Sequence, residues 1–280
     1  MPIYTIESGG SRMKNQMIAL AAALAIGLTF AACSGSGTGN DTAPSPESDF
    51  AYIEQKGSII IGYTVYEPMN YTDSEGRFTG FDTELAEIVC KKLNLTPDFV
   101  EINWDTKEVE LAAKTIDCVW NGLTITDERK KQMEITIPYV KNAQVVVMKA
   151  DAGYKDTSSL IGKTVVAEAG SAGEKTVNED ESLSKAEYVA KEVQTTCLME
   201  VSAGTADAAV LDLTLAKAMI GSGTDYAGLE IKELLDVEDY GIAFRKGSDL
   251  CEMVNKILRD LAADGTLGAL ADKYSLELAI

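Results

Sequence analysis

From Ser58 onward the chain alternates short apolar runs with stretches whose apolar residues return at helical spacing. Ser58 to Tyr63 (Ser-Ile-Ile-Ile-Gly-Tyr) has the length and composition of a buried strand. Asp82 to Leu93 predicts an amphipathic helix: Leu85, Ile88, Val89 and Leu93 fall on one face, and Asp82 is a candidate N-cap. Thr96 to Glu101 predicts a strand, Val109 to Lys114 the end of a short helix, and Ile116 to Trp120 another strand. This alternation builds a parallel sheet. It recurs later: Thr164 to Glu168 predicts a strand broken by Ala169-Gly170-Ser171-Ala172-Gly173, with a helix after it, and Thr195 to Ala203 a further helix. Thr205-Ala206-Asp207 leads into Ala208 to Asp212 as Thr115-Ile116-Asp117 leads into Cys118 to Asn121. Two similar α/β lobes are the inference. Pro138 to Met148 and Val237 to Phe244 are extended and predict two antiparallel crossovers between them. Helices over Asp249 to Ala263 and Leu267 to Tyr274 then return to the first lobe.

The start of the chain has a different grammar. Arg12 and Lys14 precede an uncharged run from Met17 to Ala32, rich in Ala, Leu and Ile. Positive flank, short apolar core and small residues before the break form a secretory signal. Its ending, Phe30-Ala31-Ala32-Cys33, resembles the bacterial lipobox, with Phe30 where an aliphatic is usual. The reading is a lipoprotein signal over 1–33 with Cys33 lipidated; a plain secretory signal with a chance cysteine is the alternative. Residues 34–49 are almost all Ser, Gly, Thr, Ala, Pro and acidic residues, and predict a flexible tether with a reach of roughly 20–24 Å. Lipid and tether together would hold the body just off the cell membrane, outside the cytoplasm.

Composition narrows the chemistry. Basic residues number 25 and acidic residues 44, a net charge of −19, which argues against a nucleic-acid partner. The chain has no histidine, so histidine triads, histidine metal sites and histidine general bases are excluded. Beyond Cys33 stand Cys90, Cys118, Cys197 and Cys251, at no zinc-binding spacing and among apolar residues. Buried free thiols are expected, with no metal and no cofactor; a Cys90–Cys118 bridge is conceivable outside the cytosol.

The densest chemistry lies in residues 113–129. The run Cys118-Val119-Trp120 empties into Asn121-Gly122-Leu123-Thr124, read as a loop, and Thr126-Asp127-Glu128 opens a helix that carries Arg129. In an open α/β sheet, ligands bind where strands end at loops. Free N–H groups at a helix start favour an anion, and a guanidinium clasps a carboxylate through two parallel hydrogen bonds. In the second lobe Asp212 ends an apolar strand, where it either caps the next helix or meets a ligand.

Taken in order, Gly80-Phe81-Asp82, Gly122 to Arg129, Pro138-Tyr139, Leu160 to Lys163, Gly170-Ser171, Asp207-Ala208, Asp212 and Tyr240 to Ala243 resemble the solute-binding proteins, family 3, of bacterial ABC importers for polar amino acids. The resemblance implies a two-lobed Venus flytrap of the type II periplasmic-binding-protein fold. In it, each lobe is a mixed, mostly parallel sheet flanked by helices, and two crossover strands join the lobes. Lobe one is expected over 50–139 and 240–280, and lobe two over 140–239. The resemblance places the carboxylate-binding arginine on Arg129, companion groups on Gly122 and Thr124, second-lobe carboxylate contacts on Ser171 and Ala172, and the ammonium partner on Asp212. Aromatic walls fall on Tyr66 and Trp104. Glu168, Asn121 and Glu67 are the candidates for the ligand's far end; Glu168 would favour a cationic or donor end. The implied partners are an amino-acid ligand and a permease with its ATPase. The chain is expected to be a monomer, held to the membrane by lipid alone, and not an enzyme. A flytrap-fold enzyme of dehydratase type using a cleft carboxylate, or a sensory surface lipoprotein, are the competing classes.

Overall fold

The computed structural model describes residues 48–280. The first described element is a helix that the tether reading did not foresee, α1 (Asp49–Lys56), with the Ser48 side chain capping Ala51 N–H at 3.0 Å. The expected tether boundary is therefore too late: Ser48 and Asp49 belong to a helix start. Its N-terminal acid and cap residue are ordinary helix-start chemistry, hidden in a polar, acidic stretch.

The chain continues through β1 (Ser58–Tyr63), the small hairpin β2 (Tyr71–Thr72) and β3 (Phe78–Thr79), α2 (Phe81–Leu93), β4 (Thr96–Glu101), α3 (Lys107–Ala112), β5 (Cys118–Thr124), α4 (Asp127–Gln132) and β6 (Met133–Ile135). The first crossover, β7 (Val140–Lys149), leads to β8 (Thr164–Glu168), α5 (Ala172–Glu179), β9 (Glu187–Lys191), α6 (Gln194–Ala203), β10 (Ala208–Asp212) and α7 (Leu213–Met219). The second crossover, β11 (Leu229–Arg245), returns to α8 (Leu250–Ala263) and α9 (Thr266–Lys273).

Strands line up as β4-β1-β5-β11-β7-β10-β8-β9, with β6 on β11. A parallel trio lies at each end, and the two crossovers run antiparallel between them. The repeated Thr-x-Asp is one device used twice. Asp117 accepts Ile60 N–H at 2.9 Å and gives its own N–H to Ile60 O at 2.7 Å; Asp207 does the same with Thr164, at 2.9 and 2.9 Å. Each aspartate thus fastens the inner strand of a trio to its neighbour.

Two expectations are corrected here. Asn121 to Thr124 is not a loop: β5 runs to Thr124, and every residue in it is buried. Gly122 keeps the strand with a φ of 58°, and a Cβ there would lie 2.9 Å from the Tyr66 ring and 3.0 Å from the Tyr240 ring. A glycine read as a turn is a close approach of two aromatic rings to a backbone. Asp82 does not cap α2, whose N-cap is Gly80. Its carboxylate is fully buried, accepting Gly122 N–H at 2.7 Å and Tyr139 O–H at 2.8 Å. Among the described residues Cys90, Cys118, Cys197 and Cys251 are buried free thiols.

Burial pushes the Asp82 carboxyl up to about 7. A carboxyl raised in the folded state stabilises fully below its unfolded pKa of about 4 and loses that contribution as pH rises through its folded value. Glu168 and Glu238, both pushed up to about 8 mainly by burial, act in the same direction. The unliganded protein is therefore expected to be more stable at pH 5.5 than at pH 8, by on the order of 2 kcal/mol or more. Urea titrations at the two pH values check this; equal stability would contradict it.

Candidate functional site

A small, tightly closed cavity lies between the two halves of the sheet. Tyr66, Trp104, Asn121, Gly122, Thr124, Arg129, Glu168, Ser171, Ala172 and Asp212 all line it, so the structure brings these ten sequence-chosen residues to one place. Gln194 completes the wall. Glu67 is not there; it lines a separate groove with Tyr71 and Lys217.

The first-lobe wall starts at β5. Past its end, Thr126 caps α4 by accepting Arg129 N–H at 3.1 Å, which turns the arginine back over the strand end. The guanidinium is buried although the residue as a whole is half-exposed, and burial lowers its pKa. It donates to Thr124 O at 2.8 Å and across the lobes to Gly170 O at 3.0 Å. Its fork still has N–H groups beyond those two. Asn121 lines the cavity but its side chain is committed to the scaffold. It accepts from Thr64 N–H and O–H, and donates to Thr64 O and Asn70 Oδ1. That removes it as a candidate for the ligand's far end, because no polar atom of its side chain is left to turn inward.

From the second lobe, β8 ends at Glu168 and α5 begins at Ala172, with Ser171 as N-cap. The Ser171 hydroxyl accepts Glu174 N–H at 3.1 Å, so the cap itself is occupied, while the first helical N–H groups have no acceptor within the helix. Glu168 is 2% exposed, and its Oε1 is a buried acceptor with no partner among the described residues. Burial first, and the Asp212 charge second, raise its pKa to about 8. Asp212 occupies the N-cap position of α7 without capping it through its side chain. Its carboxylate instead accepts from Asn142 at 2.8 Å, Gln144 at 2.5 Å and Gln194. Burial raises this carboxyl as well.

Sequence reasoning missed several participants. Lys107, the first residue of α3, is buried, donates to Gly170 O and Trp104 O at 2.9 Å each, and lies 5.0 Å from the Trp104 ring centre. Burial lowers it to about 8. Thr214 and Tyr240 join their hydroxyls to that of the expected Tyr66 in a closed triangle that spans the lobes. Gln194, Asn142, Gln144 and Glu238 surround Asp212 directly or through shared partners. The one available signal was the period-two spacing of Asn142 and Gln144 just before the apolar run Val145 to Met148.

Fold and cavity define a two-lobed, type II solute-binding protein with its cavity between the lobes. The model for bacterial extracellular solute-binding proteins, family 3, matches residues 59–277, and the chain belongs to that family. The L-cystine-binding protein TcyJ of Escherichia coli (strain K12) is 28% identical over 226 residues, 79% of this chain and 84% of TcyJ. The arginine-binding extracellular protein ArtP of Bacillus subtilis (strain 168) is 30% identical over 271 residues, 94% of this chain and 98% of ArtP. The solved structure of an ancestral arginine-binding protein bound to arginine has a TM-score of 0.73 and 32% identity, over 78% of this chain and 98% of that one.

Proposed function

We propose that the cavity binds a basic L-amino acid outside the cytoplasm and that the closed protein delivers it to the permease and ATPase of an importer. The relatives named above bind amino acids, cystine in one case and arginine in two. An α-amino acid is a dipole with a fixed span, and burying it requires a partner for each pole. Arg129 and the start of α5 at Ser171 and Ala172 suit the carboxylate; Gly122, whose N–H is held by Asp82, and Thr124, whose hydroxyl is given to Glu238, shape the wall beside them; Asp212 suits the ammonium; Tyr66 and Trp104 suit the apolar stem. One observation carries the specificity: the unpartnered, buried Glu168 oxygen on the cavity wall. A cationic side chain satisfies it, whereas an apolar side chain leaves a desolvated acid unpaired. With 50–139 and 240–280 as one lobe and 140–239 as the other, a ligand held by both favours closure by its differential affinity for the closed form.

Holding an intact ligand, rather than turnover, is the reading that matched poles support. No helix among the described residues is long and apolar enough to cross a membrane. Lipid attachment at Cys33 lies outside the described residues and stands with the signal over 1–33 and the monomeric state as part of this proposal. A thermal-shift panel of the common amino acids tests it. L-Arginine, L-lysine or L-ornithine is expected to raise the melting point by several degrees through mass action, and L-leucine to leave it unchanged. Glu168→Gln should narrow the preference for cationic over neutral ligands by about tenfold or more. A variant with the preference intact removes Glu168 from the assignment, and a panel without a hit removes the function.

A further inference from the structure

Strand register builds an acid pair behind the cavity wall. Asn142 and Gln144 lie two residues apart on β7 and so share a face. Glu238 of β11 stands opposite Asn142, and Asp212 of β10 opposite Gln144. The Asn142 amide nitrogen lies 2.8 Å from Asp212 Oδ1 and 2.6 Å from Glu238 Oε1; the Gln144 nitrogen lies 2.5 and 2.9 Å from the same oxygens. One oxygen of each acid therefore draws hydrogens from the same two amides. The other donors are also neutral, Thr124 O–H to Glu238 and Gln194 to Asp212. Charged and titratable groups facing the pair are Arg129 from α4, Glu168 from β8, Tyr66 and Tyr240, with Lys107 of α3 beyond Glu168. Two carboxylates this close, buried, and solvated only by neutral donors do not both stay ionised; one proton serves the two.

We propose that Glu238 is the second half of the ammonium site: it and Asp212 share one proton, which the ligand's ammonium replaces on binding. The ammonium arrives with its own three hydrogens and the carboxyl proton leaves to solvent, so the pair passes from one negative charge to two as one positive charge arrives. Glu238 acts through Asp212, which lines the cavity, and the unpartnered Glu168 oxygen on the same wall marks where a ligand sits. Burial followed by the Asp212 charge raises the Glu238 carboxyl to about 8, in the direction the geometry requires.

This inference rests on the amino-acid reading above, and the test separates the two. Titration calorimetry of the whole protein with L-arginine at pH 7, in buffers of different ionisation enthalpy, counts protons released per ligand. Wild type is expected to release close to two, from the pair and from Glu168. Glu238→Gln should lower the count by about one, and below pH 8 the affinity should lose about one tenfold step of its rise per pH unit. Glu168→Gln should remove the other proton and keep the pair's. An unchanged count in Glu238→Gln overturns the inference while the function stands; wild type that binds no amino acid overturns the function. If Glu238→Gln does not fold, carboxyl carbon NMR of the unliganded wild type decides. An upper titration well above the usual carboxylate range, followed jointly by the assigned Asp212 and Glu238 carboxyl carbons, supports the shared proton, and two ordinary titrations of those two carbons near about 4 overturn it.

Discussion

Replacing Arg129 with alanine should lower affinity for every α-amino acid by about a hundredfold to a thousandfold, as expected when one partner of a buried charge pair is lost. The unliganded protein should keep its stability to within about 1 kcal/mol, since a costly buried guanidinium is removed along with its two backbone contacts. Arg129→Lys retains the charge but not the planar fork, and should recover only part of the loss. Calorimetry with L-arginine and with L-glutamine distinguishes loss of carboxylate binding, which weakens both equally, from loss of a side-chain contact, which weakens one. Near-native affinity in Arg129→Ala would sink the assignment.

Gly170→Val should cost nearly as much through a different cause. Gly170 has a φ of 70°, and a Cβ on it would lie 2.8 Å from Asp105 Cα, a backbone atom of the opposite lobe. The carbonyl of the same residue receives both Arg129 and Lys107. A side chain at this point strains the turn by about 1–2 kcal/mol in any state, and in addition blocks the approach of the lobes. Affinity should therefore fall by about a hundredfold or more, while the melting point of the unliganded protein falls by only a few degrees. Small-angle scattering at saturating ligand should report an open particle; a compact one with normal affinity would show that the contact is yielding.

Much of the fold was legible because its strands are buried on both faces and read as apolar runs, as Cys118 to Trp120 and Ala208 to Leu211 do. The repeated Thr-x-Asp looked like a weak echo and is a matched pair of strand clamps. Where the reading failed, local chemistry misled. Asn121-Gly122 spells a turn, yet the burial of Tyr66 and Tyr240 against Gly122 keeps it in a strand. Glu238 sits in a half-exposed stretch with no pattern of its own, and its role depends on Asn142 and Gln144 about a hundred residues earlier in the chain. Lys107 carries no signal in its own segment, and its ammonium is held by Trp104 nearby in the chain and by Gly170 from the other lobe. Contacts that exist across the closed cleft leave little trace in any one segment.

Helix α1 has a mechanical consequence. Ser48 donates to Asp249 at 2.5 Å, and Phe50 N–H to the same carboxylate at 2.9 Å. Asp49 pairs with Arg245 at 2.7 Å, and Arg245 with Asp117 at 2.9 Å, which also takes Lys56 at 2.6 Å. Every one of these partners belongs to the half of the sheet built on β1 and β5. The first described helix is thus riveted to the half built on β1 and β5 by a chain of acids and bases, and among these bonds none reaches the half holding Asp212 and Glu168.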